Sequence, residues 1–178
     1  ANKMPDPEKN RITPPPHVKG AAFTVHATVR GKNLDGVVLA HGGVRFGWSL
    51  HFRTGRPVFS IRNEGKLVEI AGEDTVSGKV GITASLTGES MTLAIDGEEV
   101  ASRPSPGLLS DQPGLGLYRT LDFRDPVGSY TVPHAFSGKL LDHRIVVATP
   151  KVTMRTRWGQ EVTAENAWRE YPRPQLQR

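Results

Sequence analysis

The stretch "SLTGESMTLAIDGEEVAS", residues 85–102, decides the fold class. Residues 91–95 alternate between apolar and small or polar side chains, which is the two-residue period of a β-strand. Asp96-Gly97 follows at once, and a tight hairpin turn needs the positive φ that Gly adopts without steric cost and Asp tolerates. An apolar position returns at Val100. The stretch therefore predicts a β-hairpin with an acidic turn.

Three carboxylates, Asp96, Glu98 and Glu99, lie at this turn and raise the alternative of a catalytic acid pair. Glycosidases hold two carboxyl groups about 5 to 9.5 Å apart across a cleft. Asp96 already has a backbone role in the turn, and successive residues of the next strand point to opposite faces. The three carboxylates therefore favour a structural turn over a catalytic pair.

Short strands recur along most of the chain at a spacing of about ten residues. "AFTVHATVR" alternates in the same way, and turn signals such as "HGG", "RTGRP" and "NEG" separate the later strands. The other strands are predicted at 36–41, 47–53, 57–63, 66–71, 79–86, 90–96, 98–103, 114–121 and 138–148. This pattern is typical of two antiparallel sheets packed face to face, an all-β sandwich.

The composition of the ends differs from that of the core. Residues 1–20 are polar and proline-rich and are predicted to form an extended lead-in. The sandwich is assigned to residues 21–149. Residues 150–178 are predicted to be a linker or extension toward a further domain, with a short helical turn at 163–169.

Charge and composition exclude several classes of function. The net charge of +5 resides at the ends, because residues 21–150 hold thirteen Lys/Arg and thirteen Asp/Glu. A nucleic-acid partner is therefore not expected. Cys is absent, which excludes a thiol nucleophile and a zinc-cysteine site. No apolar run reaches the ~20 residues of a membrane span, so no membrane partner is expected either.

The strand "GWSLHFR" carries the first candidate binding residues. Trp48 shares a face with two apolar residues, which favours core packing over stacking on a sugar. Ser49, His51 and Arg53 lie on the opposite face and could line a polar groove, joined by Arg62 if the register allows. A solvated outer face explains the same pattern.

Two connections supply the remaining candidates. "HGGVRFG" lacks phosphate-loop spacing and indicates a turn that would hold His41 and Arg45 at the rim of the sheet. The long loop 121–136 has carboxylates that suit Ca²⁺, although Asp125-Pro126 is equally a turn starter. The predicted ligand-binding residues are His41, Arg45, His51, Arg53, Arg62, Tyr118, Tyr130 and His134, and the predicted calcium ligands are Asp122 and Asp125.

Several stretches resemble known families. "GKVGITASLTGESMTLAIDGEEVAS" and "AFSGKLLDHRIV" resemble the central hairpin and closing strand of laminin-G-like, concanavalin A-like lectin-glucanase domains, some of which bind calcium. "DGVVLAHGGVRFGWSLHFRTGRPVFSIRN" and "GLYRTLDFRDPVGSYTVPHAFSG" are similar to the carboxy-terminal sandwich of bacterial arylsulfatases. "TRWGQEVTAENAWREYPRPQL" resembles the lead-in to family 2 glycoside hydrolases.

These resemblances imply a jelly-roll domain that is itself non-catalytic. It would bind a polysaccharide or glycan, or serve as a structural part, within a secreted or periplasmic bacterial glycoside hydrolase whose catalytic domain belongs to the same polypeptide. Two alternatives stay open. One is a sandwich-fold glycoside hydrolase or lyase acting on a polysaccharide, and the other is a purely structural spacer between domains.

Overall fold

The computed structural model describes residues 6–114, 116–122, 126–130 and 134–148, and within them every regular element is a β-strand. The strands are β1 (Arg11–Ile12), β2 (Phe23–Gly31), β3 (Gly36–Gly42), β4 (Phe46–Arg53), β5 (Arg56–Asn63), β6 (Lys66–Ala71), β7 (Gly78–Leu86), β8 (Ser90–Ile95), β9 (Glu98–Pro104), β10 (Leu117–Arg119), β11 (Leu121–Asp122), β12 (His134–Ala135) and β13 (Lys139–Val147).

The strands form two main sheets. The six-stranded sheet has the order β1-β10-β3-β4-β5-β6, and the five-stranded sheet has the order β13-β2-β7-β8-β9. A small ladder joins β11 to β12, and the pairings are antiparallel throughout the described strands. The fold class predicted from the strand spacing, an antiparallel β-sandwich, is confirmed.

The acidic hairpin forms as predicted between β8 and β9. Asp96 and Gly97 adopt positive φ values of 50° and 86°, and β8 pairs with β9 in antiparallel register. The Asp96 carboxylate accepts a hydrogen bond from the Gly81 amide at 2.8 Å. This carboxylate therefore ties the turn to the neighbouring strand β7.

The core lies between the two sheets and is built from the inward positions of each strand. Trp48 is fully buried, and its ring centroid lies 5.8 Å from that of Phe23 on the opposite sheet. Phe59 meets the same Phe23 ring edge-on at 6.5 Å. The prediction that Trp48 packs in the core is confirmed.

The first segment contributes more than its polar composition suggests. Val18 is completely buried in the core, and β1 pairs with β10 at the edge of the six-stranded sheet. The Gln112 side chain holds this segment in place, since it accepts from the Val18 amide at 2.8 Å and donates to the Pro16 carbonyl at 2.9 Å.

The late strands are shorter than predicted. The strand expected at 114–121 is broken into β10 and β11, because Thr120 adopts a positive φ of 60° between them. The helical turn predicted at 163–169 lies outside the described residues. No helix in the described part of the chain is long and apolar enough to cross a membrane.

Candidate functional site

Polar side chains collect on the outer face of the six-stranded sheet. The strand register aligns Ser49 on β4, Ser60 on β5 and Glu69 on β6 in one row across the sheet. His51 lies two residues beyond Ser49 on β4, so it belongs to the next row of the same face. Trp48 and Leu50 occupy the intervening core-facing positions. The alternation read from "GWSLHFR" therefore places a polar row outside and an apolar row inside.

Residues 126–130, which we term the cover segment, lie against this outer face. The Arg62 Nε donates to the Val127 carbonyl at 2.9 Å, and the Ser129 amide donates to Glu69 Oε2 at 3.1 Å. The approach is closest at Gly128, where a Cβ atom would lie 2.6 Å from the Tyr130 ring and 3.1 Å from Ser60 Oγ. Glycine is therefore needed at this position for the segment to reach the sheet.

Tyr130 anchors the end of the cover segment. Its hydroxyl donates to Asp122 Oδ2, which also accepts from the Val127 amide at 3.1 Å. Its ring meets His51 edge-on at a centroid distance of 4.9 Å and stacks on His134 at 5.6 Å. Burial, reinforced by the Asp122 charge, raises the pKa of Tyr130 well above its ordinary value. Tyr130 is thus a neutral hydrogen-bond donor at physiological pH.

Glu69 collects donors from three elements. It accepts from Ser60 Oγ at 2.8 Å, from Ser129 Oγ at 3.0 Å and from Arg53 Nη2 at 3.1 Å. Burial raises the pKa of Glu69, but these hydrogen bonds outweigh it and leave the pKa below its ordinary value. Glu69 is therefore a carboxylate. The Arg53 side chain is 49% exposed, so this ion pair marks the solvent-exposed end of the cluster.

His51 is the least satisfied polar group under the cover segment. It is 2% exposed, and both ring nitrogens lack a hydrogen-bond partner in the described structure. Burial lowers the pKa of His51 to about 4, although the nearby Glu69 charge partly opposes the shift. His51 is accordingly neutral at pH 7.

Six of the predicted site residues come together around the cover segment. They are His51, Arg53, Arg62, Asp122, Tyr130 and His134. Tyr118 lies on the same face two strands away, since it pairs with Ala40 and Ala40 pairs with Ser49.

Two predicted residues lie elsewhere. His41 does not occupy the exposed rim predicted for it, because it pairs with Trp48 on the core-facing side and is fully buried. Burial lowers the pKa of His41 to about 4. Arg45 lies in the turn after β3, with its guanidinium carbon 5.8 Å from the centre of the Phe46 ring. Neither residue contributes to the outer polar cluster.

The structure adds residues that the sequence did not single out. Glu69 and Ser60 have a readable signal, because alternation along "KLVEIA" and "PVFSIRN" places them on outer positions. Ser129 has no local signal, since its role follows only from the docking of the cover segment on β6.

A calcium site is not supported by the residues that the structure describes. Asp125 lies outside them, and Asp122 Oδ2 already accepts from Tyr130 and Val127. No group of three or more His, Asp or Glu side chains in the described ranges is arranged to hold a metal ion. Calcium binding remains a prediction from the sequence alone.

Solved structures share this architecture at low sequence identity. The mouse laminin α1 chain, domains LG4-5, superimposes with a TM-score of 0.61 at 15% identity over 74% of this chain. The fold is a laminin G-like sandwich. No protein-family model matches the sequence, and no curated protein sequence is significantly similar to it.

Other laminin G-like or related sandwiches give lower scores. The Ruminococcus gnavus IT-sialidase CBM40, solved bound to α2,3 sialyllactose, has a TM-score of 0.53 at 12% identity and covers 72% of this chain and 76% of that chain. The SAP-like pentraxin from Limulus polyphemus has a TM-score of 0.51 at 16% identity over 73% of this chain. The chain spans 37% of the laminin chain and 64% of the pentraxin chain.

Proposed function

We propose that this chain is a carbohydrate-binding accessory domain that holds a glycan at the exposed end of the polar cluster. Arg53, Glu69 and Ser129 form this end, which we term the rim patch. Arg supplies planar N–H donors, a carboxylate supplies acceptors, and a hydroxyl supplies both, which together match the hydroxyl groups of a sugar. The partly exposed imidazole of His134 stacks on Tyr130 at the end of the cover segment.

The half-exposed but immobilised Arg53 is the observation that carries the proposal. Its Nη2 donates to both Glu69 and Ser129, while its Nε and Nη1 groups have no hydrogen-bond partner in the described structure. A long side chain that is already held in one geometry loses less conformational entropy when a ligand binds. The remaining N–H groups are therefore available to glycan oxygens at low entropic cost.

The charge of the rim patch bears on the choice of glycan. Glu69 offsets the positive charge of Arg53, so the pair presents donors and acceptors with little net charge. Hydroxyl-rich glycans fit such a pair, and an isolated sulfate or carboxylate would meet the repulsion of Glu69. An anionic sugar is accommodated only if its charged group lies on the side of Arg53 away from Glu69.

A glycan array tests the proposal. Neutral, sialylated, uronic-acid and sulfated glycans are probed with the full chain, with and without calcium. We expect saturable binding that Arg53→Ala weakens by about tenfold or more, because a charged donor is lost from the contact. Arg30→Ala removes the same charge from the outer face of the five-stranded sheet and should leave binding unchanged.

Other results of the glycan array would contradict the proposal or favour one of the alternative functions. Equal weakening by Arg30→Ala would show a non-specific charge effect. Binding to no glycan would favour the structural spacer. Release of shorter products from a bound polysaccharide would favour the glycoside hydrolase or lyase.

We further propose that the domain serves a secreted or periplasmic bacterial glycoside hydrolase of the same polypeptide. The support is the resemblance of residues 156–176 to the lead-in of family 2 glycoside hydrolases. The arylsulfatase resemblance gives the rival parent enzyme. Fractionation of producing cells, followed by glycosidase and sulfatase assays on the intact polypeptide, separates the two. Detection only in the cytoplasm would contradict the proposed location.

A further inference from the structure

Strand β13 is a long edge strand. It forms one end of the five-stranded sheet, where β2 is its only neighbour in the described sheet order. At 9 residues it exceeds the other described edge strands, β1 with 2, β6 with 6 and β9 with 7. Within the described part of the chain its outer edge therefore offers a row of backbone donors and acceptors of the kind that pairs with another strand.

The exposure and residue types of the β13 side chains are consistent with an edge that is open to solvent. Val146 is 45% exposed and Leu141 is 40% exposed, the two highest values among the large hydrophobic residues described as exposed. The strand also contains neither Pro nor Gly. By contrast, the other edge of the same sheet ends in Pro104. An edge with these features is open to strand addition.

The charges along β13 point to one particular partner. Asp142 and Arg144 lie opposite Thr28 and His26 of β2, so both occupy the outer face of the sheet. No described residue forms an ion pair or hydrogen bond with either of them. If two β13 strands pair antiparallel about His143, Asp142 of one copy faces Arg144 of the other, twice. The strand is therefore complementary in charge to itself.

The bulge in β13 is compatible with this register. Leu141 is the extra residue of the β13–β2 pairing, since Leu140 pairs with Val29 and Asp142 with Thr28. If Leu141 is also unpaired in the ladder between the two β13 strands, Ile145 of one copy lies opposite Leu140 of the other. Both side chains are on the core-facing side of the sheet, so the pair is apolar.

We propose that two copies of this chain associate through β13, antiparallel about a two-fold axis at His143, to form one continuous sheet. The interface consists of the backbone ladder, two Asp142–Arg144 ion pairs and the apolar pairs beside them. The inference does not depend on the glycan proposal. Such a dimer would carry two rim patches, which raises avidity for a polymer that can reach both.

A charge-swap series tests the interface by sedimentation velocity over a range of protein concentrations. We expect a reversible dimer that Asp142→Arg and Arg144→Asp each weaken by about tenfold or more, because each variant places like charges opposite each other twice. The double variant Asp142→Arg/Arg144→Asp restores opposite charges and should restore association. Added salt should weaken the wild-type dimer.

Arg103→Asp on β9 is the matched control, because it changes the same charge at the other edge of the sheet. It should associate like the wild type, and far-UV circular dichroism confirms that each variant is folded. Three results would overturn the proposal: a wild-type monomer at every concentration, single variants that associate normally, or a double variant that fails to recover.

Discussion

The outer faces of the two sheets are built from the same alternation of apolar and polar residues, but they differ in their exposure to solvent. On the five-stranded sheet, outer residues such as Thr24 and Thr83 remain partly exposed and bond their neighbours, Ser85 at 2.9 Å and His26 at 3.3 Å. On the six-stranded sheet, Ser49 and Ser60 are fully buried. The difference is the cover segment, which converts a solvated polar face into a buried network. Long-range docking, not local pattern, sets the chemistry of an outer face.

Acidification should have the largest effect, because two histidines are buried: His51 lies under the cover segment and His41 lies on the core-facing side of the same sheet. In the folded chain burial lowers the pKa of His51 and of His41 to about 4, so the unfolded chain, with a histidine pKa of about 6.5, takes up protons first. Stability is therefore lost as pH falls from about 6.5 to about 4, by about 3 kcal/mol per histidine. Urea unfolding at a series of pH values measures this loss.

Two variants assign the loss to individual groups. His51→Leu and His41→Leu should each remove about half of the histidine-dependent change in the free energy of unfolding with pH. Each variant deletes one group that the unfolded state protonates. A loss of stability between about pH 6.5 and about pH 5 that neither variant changes would show that these histidines do not cause it, because Glu69, with a pKa lowered from 4.5, loses its contribution only at more acidic pH.

Removal of the Tyr130 side chain should have the next largest effect. Tyr130→Ala deletes a partly buried ring between His51 and His134 and leaves the Asp122 carboxylate without its hydroxyl donor. We expect a loss of about 3 to 5 kcal/mol in the free energy of unfolding. Thr83→Ala on the open face should cost no more than about 0.5 kcal/mol. Chemical denaturation measures both losses. Equal losses for the two variants would show that the covered face contributes no more to stability than the outer face of the five-stranded sheet.

Neutralising Glu69 should give a smaller effect. Glu69→Gln keeps the shape but weakens the bonds from Ser60, Ser129 and Arg53, so we expect a loss of about 1 to 3 kcal/mol. Glu99→Gln on β9, an exposed carboxylate, is the control and should change stability by less than about 0.5 kcal/mol. Thermal unfolding at neutral pH measures both, and a neutral Glu69→Gln would show that this network does not secure the cover segment.

Local chemistry was enough to predict the sandwich and part of the site. Asp96-Gly97 specifies its turn because few residue pairs accept those φ values, and Trp48 is placed by alternation. The same alternation from Leu39 to His41 also indicates a core position for His41. The conspicuous "HGG" turn signal led to the rim prediction instead.

The cover segment could not be predicted in this way. Pro126 and the residues after it carry no periodicity, and their position depends on contacts with β5 and β6, more than 55 residues earlier in the chain. Tyr130 and Asp122 were both candidates, but for ligand and metal binding. In the structure they bond each other, which follows from a tertiary contact that a single sequence does not encode locally.

Gly128 has a consequence for how this sequence can change over evolutionary time. Any side chain there must displace a Tyr130 ring that His51, His134 and Asp122 already hold, or the Ser60 hydroxyl beneath it. A first mutational step at position 128 is thus costly even if a later one would compensate. In descendants of this protein, glycine at 128 should persist as long as the six-stranded sheet remains covered.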